Sequence, residues 1–168
     1  MPVSQEHFEP WLRGRLEGVP LAVMPLFFCF ANVREDLRRH VADLTTEEIW
    51  KKVGRNAAVG FHLRHIFGSV DRLLTYLEGG QLTEEQLEFL SRESAPGASF
   101  DELFTQLDRQ LTAAEQRLME LDTSDLNAVR YVGRARLEVT FLGLLIHIAE
   151  HTQRHLGQAI TTAKLVRL

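Results

Sequence analysis

The sequence predicts an all-α protein, a four-helix bundle, on three observations. Four segments of about twenty residues carry apolar positions at helical spacing. Strand-like alternation is confined to one short stretch, and turn residues separate the periodic segments. With 168 residues, 45% of them hydrophobic, a chain can bury roughly 70% of its unfolded surface, so residues 1–168 are expected to form a single domain. Neither a disulfide nor a structural metal is needed at this size, and any metal site is expected to be functional.

The first helix is expected from about Pro20 to Val41, since proline suits the first turn of a helix. Its early half reads as buried, while Arg34, Glu35, Asp36, Arg38 and Arg39 crowd the later half. A short helical candidate, Thr45 to Lys52, precedes the second long segment, from about Asn56, its expected N-cap, to Glu78. Gly79 and Gly80 should stop it, because glycine enters the left-handed conformation that closes a helix. Residues 83–93 read as a further short helix. Pro96 and Gly97 then break the chain before Ser99-Phe-Asp-Glu102, a capping box opening the third long helix to about Leu121.

From Arg130 to Thr140 the period changes. Tyr131, Ala135, Leu137 and Val139 alternate with Arg130, Arg134, Arg136 and Glu138, and Gly133 lies inside. A short extended or hairpin segment is expected there, before the last helix, from about Thr140 to Lys164.

Composition narrows the function classes. The single cysteine, Cys29, excludes an internal disulfide framework and a cysteine-based zinc cluster, and it fits a reducing, cytoplasmic setting. The longest apolar stretch, Leu21 to Ala31, contains Pro25 and is far shorter than the roughly 20 residues a membrane span requires. Glu6, Glu9 and Glu17 interrupt what would be the basic start of a signal peptide. Net charge is -4, with the excess of Lys and Arg confined mildly to residues 130–168. No basic stripe with interleaved aromatics is present, so a nucleic-acid partner is not expected. Nor is a membrane partner.

Five of the seven histidines fall in two groups, His62 with His65 and His147 with His151 and His155. Successive histidines of the second group are four residues apart, so they differ by about 40° around the helix and climb about 6 Å. Neighbouring pairs can reach one ion; all three rarely can. His62 and His65 stand three apart on the second long helix, beside Val59, Leu63, Ile66 and Val70, with Ser69 a turn further on. Both groups lie at the edge of a buried face. Facing edges would bring imidazoles together at one rim of the bundle, where helical bundles build metal sites. Imidazole suits zinc, nickel, copper or ferrous iron, and a site without thiolate leaves positions open for water and substrate. The same pattern also fits a metal-free polar seam, able to act as a pH switch, or unrelated surface histidines.

Two blocks of sequence resemble the DinB-like superfamily, also called DinB/YfiT-like metalloenzymes. They are Gly60-Phe-His-Leu-Arg-His65-Ile, followed by Asp71-Arg-Leu-Leu-Thr-Tyr-Leu-Glu-Gly79, and Leu145-Ile-His-Ile-Ala-Glu-His151-Thr-Gln-Arg-His155-Leu-Gly-Gln158. The resemblance covers nearly the whole chain, and the second block is the more specific. It implies a four-helix bundle holding a divalent ion on His65, His151 and His155, with zinc or nickel foremost and iron or manganese as alternatives. His62 and His147 would then orient ligands or face substrate. Gln158 would hydrogen-bond a ligand, a bound water or an interior polar group. Glu150 is placed about 100° from His151 on the helix, facing solvent.

The resemblance also implies a small-molecule substrate and a low-molecular-weight thiol cosubstrate. Characterised members include bacillithiol S-transferases and a mycothiol-dependent maleylpyruvate isomerase. Arg134, Arg136 and Arg154 are candidates to attract a carboxylate, or else simply a solvated rim. A metal-dependent hydrolase is the second reading, lacking an evident base on either histidine stripe. A non-enzymatic scaffold or sensor is the third, with a homodimer through the first helix or the 130–140 edge.

Overall fold

The computed structural model of the protein describes residues 8–168; Glu6 of the sequence reading lies outside them. A single 3-10 turn, Pro10–Leu12, precedes the helices. The long helices are α1 (Met24–His40), α3 (Val59–Leu77), α5 (Phe100–Glu120) and α6 (Phe141–Val166). Two short ones, α2 (Thr46–Trp50) and α4 (Glu84–Arg92), sit in the connections, and strands β1 (Val129–Val132) and β2 (Leu137–Thr140) form a hairpin before α6. This is the expected all-α bundle. The long helices touch in a ring, α1 to α6, α6 to α3, α3 to α5 and α5 back to α1, with α3 and α6 the most extensively packed pair.

Side-chain chemistry sets the helix ends. Thr45, Thr83 and Ser99 each form a reciprocal capping box, with Glu48, Gln86 and Glu102 respectively. Such a cap contributes about 1 kcal/mol by satisfying otherwise unpaired backbone N–H groups. At the far end of α3, Gly79 takes φ +86°. Its N–H donates to the Tyr76 carbonyl at 3.0 Å and that of Gly80 to the Thr75 carbonyl at 2.8 Å. These two bonds satisfy the last carbonyls of the helix and stop it where the glycines predict.

The inward stripes meet in one core. Phe30 and Leu37 of α1, Leu63 and Leu74 of α3, Leu107 and Leu111 of α5 and Ile148 of α6 are completely buried. Each such side chain contributes roughly 1.5–3 kcal/mol over an exposed one. Outside the core, Arg34 ties α1 to α5 through Asp108 at 2.7 Å and Glu115 at 2.5 Å. Arg117 ties α5 to α3 through Asp71 and to Glu78 beyond it, both at 2.7 Å.

Three expectations are corrected. The first helix begins at Met24, so the proline in its first turn is Pro25; Pro20 instead lends its carbonyl to the N–H groups of Val23 and Met24 in a preceding turn. Asn56 does not cap α3. Its backbone N–H closes a turn onto Val53, and the N-cap is Ala58, which has no side chain able to cap. In the hairpin, the register pairs Arg130 with Val139 and Tyr131 with Glu138, but Tyr131 and Leu137 point to solvent. Arg130 takes an inward place instead, stacking over Phe141 and donating to the Leu77 carbonyl. A planar cation with an aromatic face and a carbonyl to satisfy it outcompetes the alternation pattern at this position.

Candidate metal centre

The close packing of α3 on α6 brings their histidine edges together. His65, His151 and His155 each place one ring nitrogen so that the three atoms lie within 4.8 Å of one another. The rings of His65 and His155 are 4.3 Å apart between centroids, those of His151 and His155 4.6 Å, and those of His65 and His151 5.1 Å. Phe61 stacks on His65 at 5.2 Å and 20°, fixing the plane of that ring from the side of the preceding helical turn.

The remaining histidines flank this triad. His62 is buried, and its Nδ1 lies 3.0 Å from Nδ1 of His155, one nitrogen donating and the other accepting. Nε2 of His155 is thereby left as its free nitrogen. His147 is exposed at the rim, packs its ring 5.3 Å from that of His151, and bonds Glu150 through Nδ1 at 2.7 Å. Glu150 is exposed, as its place on the helix predicts, and also pairs with Arg154. Gln158 faces an open groove beside His62 and His155, and its side chain makes no hydrogen bond among the described residues. Arg134 and Arg136 stand on the hairpin, with Arg136 stacked over Tyr131, away from the grooves that border the histidines.

One residue of the site was not singled out in the sequence. Glu93, the C-cap of α4, is almost completely buried and places Oε2 2.6 Å from Nδ1 of His65. Its other oxygen accepts from Arg72 at 2.8 Å. Burial pushes the Glu93 carboxyl up, but the His65 hydrogen bond and the Arg72 charge outweigh it and hold the group below the usual carboxylate range. With Nδ1 committed to a carboxylate, His65 presents Nε2. A carboxylate behind a histidine is the arrangement that fixes tautomer and ring orientation in metal sites.

The donor set fits a divalent transition ion. Burial first, then the neighbouring imidazoles, pushes His151 and His155 down to about 4, which keeps both rings neutral with lone pairs available near neutral pH. His62 is likewise lowered to about 4, by burial and then by His65. Nδ1 of His151 is buried without a hydrogen-bond partner among the described residues, a costly state that suits a side chain organised around something other than a protein partner. Two nitrogens on one ion at about 2.1 Å stand at most about 4.2 Å apart. Three nitrogens that share one tetrahedral ion stand closer still, so the cluster would draw together on binding.

The triad is bordered on two sides. His155 and His62 line a groove of about 610 Å³ that runs past Phe61 and Gln158. His65, His151 and His147 line a second recess of about 310 Å³, walled by Leu73, Tyr76, Leu82 and Leu90.

A helical bundle with a three-histidine cluster at its rim, backed by a buried carboxylate, defines the class: a compact scaffold able to hold one open transition-metal site. The model of the DinB superfamily matches residues 30–159, a span that includes all five clustered histidines and Glu93. The chain belongs to the DinB superfamily. No curated protein matches it. Among the described residues no helix is long and apolar enough to cross a membrane.

Proposed function

We propose that this protein is a metal-dependent enzyme that transfers a small thiol to an electrophile, with a divalent ion on His65, His151 and His155. The observation that carries this reading is the position of the triad between two recesses, one lined by His62 and His155 with Asn56, Phe61 and Gln158, the other by His65, His147 and His151 with Leu73, Tyr76, Leu82 and Leu90. A reaction between two molecules requires that both reach one centre, and effective concentration at that centre is a large part of catalysis. When bound, the ion lowers the pKa of a thiol and so supplies the thiolate nucleophile. A thiolate supplied in that way would bond through sulfur to the electrophilic carbon, with the leaving group taking its electron pair and the thiol proton passing to solvent.

The protein's own residues orient the participants. Glu93 holds His65 by Nδ1, and His62 holds His155 by Nδ1, so two of the three rings are fixed from behind. Hydrolysis by the same ion is the weaker reading, because the two carboxylates that touch site histidines are already engaged. Glu93 is shared between His65 and Arg72, and Glu150 between His147 and Arg154.

The test begins with elemental analysis of untagged protein, since a histidine tag would counterfeit the signal. About one transition-metal ion per chain is expected. The loaded protein is then mixed with bacillithiol or mycothiol and monochlorobimane, and a rate that chelation abolishes is expected. Protein that carries no metal and refuses added zinc, nickel and manganese overturns the metal reading. Loaded protein with no metal-dependent rate overturns transfer for those thiols.

A further inference from the structure

The groove beside His155 continues into a second one of about 670 Å³, because Arg55, Asn56, Ala57 and Phe61 line both. Together they form one trough running from Trp50 to His155 and Gln158. Lys52, Arg55 and Arg154 line it, and no Asp or Glu does. In a chain whose net charge is -4, this is a local reversal of sign. Arg154 shares its charge with Glu150. Lys52 and Arg55 have no ion-pair partner among the described residues.

The backbone reinforces that field. Gly54 at φ +60° and the bond from the Asn56 N–H to the Val53 carbonyl make a tight turn that carries Arg55 beside the trough. Ala58, on the wall of the outer groove, is the N-cap of the 19-residue helix α3 and leaves its first N–H groups without a side-chain cap. The positive end of a helix dipole therefore adds to the two unpaired cations. The Asn56 and Gln158 amides, also on the wall, have no side-chain hydrogen bond among the described residues.

We propose that this trough binds the oxyanion end of a small molecule, a carboxylate or a phosphate, with Arg55 as its principal counter-charge, while the other end of that molecule extends toward His155. The assignment deepens the transferase reading and rests on it for what happens at the histidines. The anion site itself requires no metal. Arginine suits the role because its fork can engage two oxygens of one carboxylate or phosphate.

The experiment uses full-length untagged protein freed of metal by chelation and dialysis, labelled with nitrogen-15. Succinate, inorganic phosphate and neutral succinamide are titrated separately and amide shifts are followed. Saturable shifts are expected with succinate or phosphate, centred on residues 52–62 and 154–161, and none with succinamide; the stronger of the two anions identifies the source of the charge. Arg55→Gln, a change at an exposed turn, should weaken that binding at least about tenfold while leaving the unliganded spectrum otherwise intact. Arg134→Gln on the hairpin should leave it unchanged. Absence of saturable binding by either anion, equal binding of succinamide, or undiminished binding by Arg55→Gln overturns the assignment. Because the titration is done without metal, it can succeed while elemental analysis refutes the metal reading, or fail while that reading stands.

Discussion

Oε2 of Glu93 lies 2.6 Å from Nδ1 of His65, and its partner oxygen lies 2.8 Å from Nη1 of Arg72, so one buried carboxylate orients a site histidine and neutralises a buried arginine. Glu93→Gln keeps a hydrogen-bond acceptor but removes the charge, and should weaken metal binding by about 10–100-fold, read by competition with a chromophoric chelator. Both changes leave the Arg72 charge without its counter-ion, and Glu93→Ala, which also removes the hydrogen-bond acceptor, should cost about 3 kcal/mol or more in urea unfolding. Equal metal affinity in Glu93→Gln and the unmodified protein would remove Glu93 from the site.

The three triad histidines are expected to be individually indispensable. His65→Ala, His151→Ala and His155→Ala should each abolish stoichiometric metal with helical circular dichroism unchanged, since each ring lies at the rim and not in the core. His147→Ala should weaken binding less, because that ring is exposed and bonded to Glu150. Elemental analysis of the four purified variants decides the matter. Loss of metal in His147→Ala with retention in His155→Ala would shift the site one helical turn toward the start of α6.

Acid should destabilise the metal-free protein across a defined window. His62, His151 and His155 have folded pKa values lowered from 6.5 to about 4, so between these limits the unfolded chain binds more protons than the folded one. Stability therefore rises with pH through this window; it is fully present above about 6.5 and is lost as pH falls toward about 4. The surrounding groups act in both directions. His65 and Arg154 disfavour protonation of His155, while Glu93 favours it. Thermal melts of metal-free protein should fall in Tm from pH 7 to pH 4.5, and a His62→Phe variant should fall less steeply. A flat Tm over that range would contradict the burial of neutral rings described here.

Much of this site is legible in the sequence because its geometry is local. His147, His151 and His155 stand four apart on one helix, and His62 and His65 three apart on another, so helical periodicity alone puts each group on one edge. Glu93 is different. It reaches His65 across 28 residues of chain, from the end of a short helix whose position depends on tertiary packing, and no spacing rule encodes that approach. The start of α3 failed for a related reason: Asn56 is a good capping residue, but the turn closed at Gly54 engages its backbone before the helix begins. In the hairpin, two short strands offer too few residues for alternation to outweigh one arginine stacked on Phe141.

The approach that the sequence conceals has its own physical requirement at Gly68. A Cβ built there would stand 2.6 Å from Oε1 of Glu93, 2.6 Å from Cε1 of Phe89 and 3.0 Å from Nη1 of Arg72. Glycine is thus what allows the end of α4 to close on α3 and deliver Glu93 to His65. In an ordinary helix interior, Gly→Ala is favourable by about 1 kcal/mol. Here the gain in helix propensity competes with overpacking, whose usual cost is about 1–3 kcal/mol, and both the Glu93 carboxylate and the Phe89 ring are held in place by neighbours. Gly68→Ala should therefore lower stability in urea and also weaken metal binding, since Glu93 can make room only by leaving His65. The paired readout separates this from a general packing defect: Leu111→Ala, at a completely buried position of α5, should cost about 2–5 kcal/mol while leaving metal affinity within about twofold in the folded protein. If Gly68→Ala is as stable and binds metal as tightly as the unmodified chain, the contact between Glu93 and His65 is not what holds α4 against the bundle.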